Sequence, residues 1–396
     1  MALLLSCVRR SLGTGADEDT CGERWTTVDW ARLVDIALGH GVMPHLHVGL
    51  RHICAGAPKA TRDGLQRMFR DNAQYNLLRA GELVQLLALF DAHGIQAVPL
   101  KGPVLAMSLF GSVAMRQFTD LDVLVPVEDA SSAGTLLQSC GYDVRSSGET
   151  SITAVRAGGP CPLVVDLQWM LAEDRYGFPL DQKQVSGRLV PVRFMSATVR
   201  QPALEDQLLI LSAHPAKHCW SKLEWVVDLA AFVHANAEKI DWSSALDRAT
   251  RLGAKRLLLL GIGLAEHLLR LEVPGEIRAG IRSDAIVQRL VLELSEKLCN
   301  PSPALNRLNG SYGVVEAGLL YMRTRERLAD KLPYLRYFAR LFCEWFTVAP
   351  NEQDYSVVAL PRYLSALYFV VRPFRLLGKY GGRLVRSTLQ AAQSLR

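Results

Sequence analysis

The chain has 396 residues, enough for two or three domains of about 100–200 residues each. Apolar residues make up 49% and charged residues 21%, which excludes collagen-like, low-complexity and disordered proteins. The longest apolar run, residues 257–265, is shorter than the roughly 20 residues of a membrane span. The short apolar start before Arg9 and Arg10 does not fit a secretory signal, so we expect a cytoplasmic protein.

The spacing of the cysteines and the distribution of charge limit which metals and partners the chain is expected to bind. The 8 cysteines are scattered without a C-x-x-C pair, which predicts reduced, packed residues in place of a disulfide framework or a zinc site. The net charge of +6 is uneven, because residues 321–396 hold 13 Lys/Arg and 5 Asp/Glu, a net of +8. Such a basic segment is either a solvated surface or a site for an anionic partner.

Hydrophobic periodicity changes twice along the chain, which predicts an α+β protein. Residues 1–92 read as an N-terminal helical region, 93–200 as an α/β core with a small mixed sheet, and 201–396 as a large C-terminal helical domain. Strands are predicted at residues 95–100, 121–125, 142–145, 152–156 and 162–170. Later helices are predicted at 204–212, 223–235, 244–271, 286–298, 319–346 and 362–377, with Pro333 expected to break or kink the fifth.

Three aspartates mark the candidate chemistry. Asp120 and Asp122 begin a buried strand and project from the same face, because side chains alternate along a strand. Two adjacent carboxylates repel unless a cation lies between them, and oxygen ligands suit Mg²⁺ or Mn²⁺. Asp166 lies in another apolar strand, where its charge also needs a partner. If the two strands are neighbours, all three carboxylates can share a metal pair. A capping Asp120 and an Asp122 paired with Arg116 would be the structural alternative.

These residues resemble a known superfamily. Lys101-Gly102, Arg116, Asp120-x-Asp122 and Asp166 are similar to the polymerase β-like nucleotidyltransferases, and more closely to the bacterial group of uncharacterised nucleotidyltransferases. The resemblance implies a polymerase β-like core and transfer of a nucleoside monophosphate from a triphosphate to an acceptor hydroxyl. Gln168 stands where the group usually has histidine, which puts any phosphate or base contact of that histidine in doubt.

The resemblance also implies roles for individual residues. Asp120, Asp122 and Asp166 would be the catalytic residues and hold two Mg²⁺ (or Mn²⁺) ions. A second set would contact the nucleoside triphosphate, with backbone amides at a helix start cradling phosphate oxygens. That set is Lys101, Gly102, Arg116, Lys217 and His218. A Gly111-Ser112 turn is a less favoured alternative to Lys101-Gly102.

Several functions remain open at this stage. The acceptor is expected to be a small molecule or a peptide, with RNA less favoured. The aromatics of the basic segment fall at helical packing intervals and look like core residues, not a base-stacking surface. Basic residues there, Arg323, Arg325, Arg327, Arg372 and Arg375, would flank an anionic acceptor. The alternatives are a catalytically inactive nucleotide-binding or scaffold module, an RNA-directed enzyme, or a glycosyltransferase that uses the D-x-D.

Overall fold

The structure is a computed structural model that describes residues 1–14, 28–53, 56–147, 150–171, 180, 182–300 and 314–347. The chain divides into two compact units, Met1–Lys331 and Leu332–Arg396. Arg372, Arg375 and the helix predicted at 362–377 lie outside the described residues. The α+β class is confirmed, whereas the boundaries at residues 92 and 200 stay a prediction.

The described residues of the N-terminal region are helical, as expected. Its helices are α1 (Ala2–Leu12), α2 (Trp30–Gly39), α3 (Met43–Leu50) and α4 (Lys59–Ala92). The side chain of Asp29 accepts a hydrogen bond from the Arg32 amide at 3.0 Å and caps the start of α2. Helix α1 packs on α3, where Gly49 lets the two backbones approach closely at Cys7.

A mixed five-stranded sheet forms the core. In the order β1-β2-β5-β4-β3, only β2 and β5 run parallel. The strands are β1 (Val98–Pro99), β2 (Asp120–Leu124), β3 (Asp143–Ser147), β4 (Ser151–Arg156) and β5 (Leu163–Gln168). Two helices lie between them in the chain, α5 (Gly102–Phe110) and α6 (Ala130–Ser139). The sheet matches the prediction, although the first strand is much shorter than residues 95–100.

Alternation along the central strands separates a core face from a polar face. Leu121 and Val165 are almost fully buried and belong to one cluster with Leu83 of α4 and Leu137 of α6. The intervening residues of β2 and β5, which include the aspartates, project to the opposite face. Burial of the apolar face therefore orients the carboxylates.

The described residues after the sheet are helical except for one hairpin. A short helix α7 (Gln182–Ser186) precedes the antiparallel pair β6 (Leu189–Phe194) and β7 (Ala197–Pro202). Eight helices then follow among the described residues: α8 (Leu204–Lys217), α9 (Leu223–Asn236), α10 (Trp242–Arg251), α11 (Lys255–Leu269), α12 (Gly275–Ser283), α13 (Ala285–Cys299), α14 (Val314–Thr324) and α15 (Leu328–Thr347).

Two sequence predictions were wrong here, and one hairpin was not predicted. The single helix predicted at 244–271 is two helices, separated where Gly253 adopts a φ of +60°. The helix predicted at 319–346 breaks at residues 325–327 and not at Pro333, which lies inside α15, while the predicted kink at Pro333 stays a prediction. The β6–β7 hairpin was missed because its turn uses Met195 at a φ of +53° without a glycine or asparagine to signal it. Among the described residues, no helix is both long and apolar enough to cross a membrane.

We predict that Gly49→Ala destabilises the protein. A Cβ at this position would overlap the carbonyl oxygen and the Cα of Cys7, so α1 must move away from α3. We expect a loss of about 1–3 kcal/mol in the free energy of unfolding, measured by urea denaturation. Gly81→Ala is the control, because no atom lies within 4 Å of a Cβ there. That helical variant should be neutral or gain up to about 1 kcal/mol, and equal losses for both variants would contradict the packing account.

Candidate active site

A cavity of about 830 Å³ opens over the carboxylate face of the sheet. Its walls come from the central strands, the start of α5, the helices α8 and α9, and the N-terminal helices α2 and α4. Every residue predicted for the site lines it: Lys101, Gly102, Arg116, Asp120, Asp122, Asp166, Lys217 and His218. The α/β core and the helices after Ala203 therefore enclose one site within the first unit.

The three aspartates share this face. Asp122 pairs in register with Asp166 across the parallel β2 and β5, and Asp120 is two residues before Asp122 on the same side. Burial, and then the charge of Asp122, raise the pKa of Asp120. Burial also raises the pKa of Asp166, and the Asp122 charge adds to this effect. The site thus holds carboxylates that are costly to ionise together.

The surroundings of the Asp166 carboxylate favour a positively charged ligand. Its Oδ1 atom is buried and has no hydrogen-bond partner, while Thr153 donates a hydrogen bond to the carboxylate. Together with the carboxylates of Asp120 and Asp122, this buried and unsatisfied oxygen provides oxygen ligands that suit a hard divalent cation. Among the described residues, no group of three or more His, Cys, Asp or Glu is already arranged around a metal position.

Lys101 links the carboxylates to α8. Its Nζ atom lies 3.4 Å from Asp122 Oδ2 and 3.0 Å from both ring nitrogens of His214. Burial raises the pKa of Asp122, but the charges of Lys101 and then Lys217 outweigh this and hold the net pKa below its usual value. Burial, followed by the Lys101 charge, lowers the pKa of His214 well below its ordinary value, so the ring is neutral.

Gly102 begins α5 at the cavity wall. Its φ of +61° is a left-handed conformation that favours glycine, and Pro103 follows in the first turn. The first N–H groups of a helix have no partner within the helix, and together with the positive dipole end of α5 they make this wall suited to phosphate oxygens. By contrast, neither Gly111 nor Ser112 lines the cavity. Gly111 ends α5, and Ser112 accepts a hydrogen bond from the Ala114 amide.

Arg116 lines the cavity, but its guanidinium is already bound. The Nε and Nη2 atoms donate to the two carboxylate oxygens of Asp228, both at 2.8 Å. Burial lowers the pKa of Arg116, and the Asp228 charge more than compensates. The pair ties the segment before β2 to α9, so Arg116 orients the site, whereas its predicted contact with the nucleotide stays a prediction.

Two further predicted contacts come from α8. Lys217 and His218 line the cavity, and the His218 ring stacks on Trp225 with centroids 5.4 Å apart. Burial, then the Lys217 charge, lower the pKa of His218 to about 3, so this ring is also neutral near pH 7. A neutral imidazole still carries one N–H group, through which His218 can donate a hydrogen bond to a ligand in the cavity.

For the three described arginines of the basic segment, the expected place beside the entry of an anionic acceptor stays a prediction. None of Arg323, Arg325 and Arg327 lines the cavity. Each is engaged elsewhere: Arg323 with the Glu293 carboxylate at 2.7 Å, Arg325 with the Gly253 carbonyl at 2.7 Å, and Arg327 with the Thr250 carbonyl at 2.9 Å. These arginines connect helices, because each one binds a carbonyl oxygen or a carboxylate in the segment from α10 to α13.

The sequence did not reveal several residues of the site. The sequence marked Gln168 only as a departure from the usual histidine, whereas in the structure its Nε2 atom donates to Asp122 Oδ1 at 2.6 Å. His214, four residues before His218 on α8, was not among the predicted site residues. A row of α4 residues also lines the cavity, although the sequence showed α4 only as a helix.

Comparison with models of known protein families identifies the family of this chain. A model described as "Uncharacterised nucleotidyltransferase" matches residues 26–270. The chain belongs to this nucleotidyltransferase family. The matched region contains all the elements that form the cavity, and membership supports nucleotidyl transfer with a nucleoside triphosphate as substrate. Searches of curated proteins and of solved structures gave no significant match.

We predict that Asp228→Asn strongly destabilises this nucleotidyltransferase. The substitution removes the charge that compensates Arg116, which is 7% exposed, and leaves a buried cation without its partner. The expected loss is about 3–5 kcal/mol in the free energy of unfolding, measured by urea denaturation. Asp247→Asn on α10 is the control, because that residue is exposed, and it should change stability by less than about 0.5 kcal/mol. Equal stability of the two variants would show that Arg116 does not depend on Asp228.

Proposed function

We propose that this chain transfers a nucleoside monophosphate from a nucleoside triphosphate to a hydroxyl of a small molecule or a peptide. The observation that carries the proposal is the pairing of Asp122 with Asp166 on parallel strands, with Asp120 on the same face and an unsatisfied oxygen on Asp166. Phosphate-binding groups, Lys101 and the start of α5, line the same cavity. The family supplies the reaction class, and the cavity supplies candidate residues for it.

Asp120, Asp122 and Asp166 would hold two Mg²⁺ or Mn²⁺ ions. Bound there, the ions would activate the acceptor hydroxyl and neutralise charge on the leaving pyrophosphate. The carboxylates fit this role because two of them have raised pKa values from burial and mutual repulsion, a cost that bound cations would relieve. Gln168 holds one oxygen of Asp122 and thereby fixes the orientation of that carboxylate.

The remaining groups would bind and orient the triphosphate. Backbone amides at Gly102 can donate to phosphate oxygens without interference from a side chain. Lys101 and Lys217 bring positive charge from opposite sides of the interface between core and helices. His214 holds the Lys101 ammonium group as a neutral acceptor. In this arrangement Asp166 would accept the proton of the acceptor hydroxyl.

The position of the arginines weighs against an RNA acceptor. Arg323, Arg325 and Arg327 are bound to other helices, so they do not form a basic track beside the cavity. Binding of RNA depends on many free cationic contacts and falls steeply with salt. We therefore propose a small-molecule or peptide acceptor.

We predict that Asp122→Asn abolishes the response to metal and nucleotide together. With Mg²⁺ and one of the four triphosphates, the unfolding temperature of the wild type should rise, because a ligand that binds the folded state stabilises it. In Asp122→Asn this rise should be lost, and any pyrophosphate release should fall by about 100-fold or more, since even outer-shell changes cost 10–100-fold.

Asp143→Asn on β3 is the matched control, because its carboxylate is 65% exposed and lies outside the cavity lining. It should behave like the wild type in both measurements. An Asp122→Asn protein that keeps its magnesium-dependent shift would contradict the proposal. A wild type that shifts with nucleotide but releases no pyrophosphate with any acceptor would favour an inactive nucleotide-binding module.

A further inference from the structure

One wall of the cavity comes from a single row of residues on α4. Met68, Asp71, Asn72, Tyr75 and Arg79 all line it. Their spacing follows the helical repeat, so they form one stripe on one side of α4. This stripe is separate from the elements that carry the proposed metal and phosphate groups, namely β2, β5, α5 and α8.

Arg79 is the unusual member of the stripe. Only 8% of its surface is exposed, and its Nε atom has no hydrogen-bond partner. Its one hydrogen bond among the described residues runs from Nη1 to Asn76 Oδ1 at 3.4 Å. No carboxylate in the described part of the chain pairs with it. Arg116 and Arg156, by contrast, are bound to Asp228 and Glu82.

Asn76 fixes the direction of the Arg79 side chain. This asparagine is fully buried, and its Nδ2 atom donates to the carbonyls of Val113 and Arg116, both at 2.8 Å. Its Oδ1 atom is therefore left to accept from Arg79. The same two carbonyls belong to the segment that leads into β2, so the guanidinium is held in a defined position beside the carboxylate strand.

Among the described residues, no carboxylate balances the charge of this largely buried guanidinium, and its Nε atom has no hydrogen-bond partner. A ligand in the cavity can supply both the negative charge and the acceptor, and the planar fork of the guanidinium matches a carboxylate or a phosphate. We propose that the acceptor carries such an anionic group and that Arg79 binds it. Tyr75, Met68 and Leu38 line the cavity beside it and can cover an apolar part of the same molecule. The inference rests on the proposed function and adds the acceptor class.

The triphosphate is a less suitable partner for Arg79. The start of α5, Lys101 and Lys217 already supply donors and charge for its phosphates. Arg79 belongs to another wall, and its position is tied to the Val113–Arg116 segment through Asn76. If Arg79 bound the triphosphate instead, its replacement would weaken nucleotide binding, and this provides a direct test.

The test measures anion binding after the nucleotide site is filled. The full chain is first saturated with Mg²⁺ and a non-hydrolysable analogue of the triphosphate that stabilises it most. Acetate, inorganic phosphate or the neutral isostere acetamide is then added at constant ionic strength, and the unfolding temperature is recorded. The variants are Arg79→Gln, Arg79→Lys and the control Arg70→Gln, which removes the same charge from an exposed position of α4 outside the cavity lining.

We expect the wild type and Arg70→Gln to gain about 2 °C or more with acetate or phosphate and nothing with acetamide. Whichever anion gives the larger shift identifies the acceptor group as carboxylate or phosphate. Arg79→Gln should fold, respond normally to the analogue, and lose the anion shift, whereas Arg79→Lys should keep only part of it.

Three results would overturn the inference. These are no anion shift in the wild type, an equal shift in Arg79→Gln, and an Arg79→Gln protein that fails to fold or loses affinity for the analogue. If the analogue itself gives no shift, nucleotide binding fails separately. The anion titration is then carried out on the protein without nucleotide. A smaller anion shift in Arg79→Gln than in Arg70→Gln supports the inference there, and equal shifts overturn it.

Discussion

Parallel pairing of β2 with β5 is the constraint on which the candidate site depends. It sets Asp122 directly beside Asp166, and the alternation of the strand brings Asp120 to the same side. A shift of one residue in this register would send the carboxylates into the apolar core. Leu121 and Val165, both almost fully buried, fix the register, because their burial against α4 and α6 is lost in any other alignment.

Polar ties from the surrounding helices complete the site. Arg116 joins the segment before β2 to α9 through Asp228, while Asn72 and Asn76 of α4 hold backbone carbonyls of the same segment. Lys101 bridges the carboxylate strand to His214 of α8. These groups are buried or half-buried, and their hydrogen bonds and ion pairs hold the cavity walls relative to the aspartates within this unit.

The sequence revealed the carboxylates because their pattern is local. Asp120 and Asp122 lie on one short strand, Asp166 interrupts an apolar run, and the period of two assigns faces to all three. Gly102 was identified for a similar reason, since a strand, a turn and a proline follow one another there. The family match on residues 26–270 confirms the group that these motifs suggested.

The distant partners of charged side chains could not be predicted from local sequence patterns in the same way. Nothing local distinguishes an Arg116 bound to Asp228, 112 residues away, from one free to contact phosphate. The three C-terminal arginines looked available as a group, but carbonyls and acids of distant helices engage them. Arg79 is the reverse case, because nothing in the sequence marked it as part of the site and only the fold shows that it lies in a cavity wall. Partner choice over such distances depends on tertiary packing, which periodicity does not encode.

The central claim is that the three aspartates form a metal-dependent nucleotide site. Counting bound Mn²⁺ by electron paramagnetic resonance, with a non-hydrolysable triphosphate present, tests it most directly. The account predicts two Mn²⁺ ions for each chain with the nucleotide, and loss of at least one in Asp166→Asn, which removes charge at nearly constant volume. If a variant with Asp120, Asp122 and Asp166 all replaced by asparagine binds as many ions as the wild type, the account is contradicted.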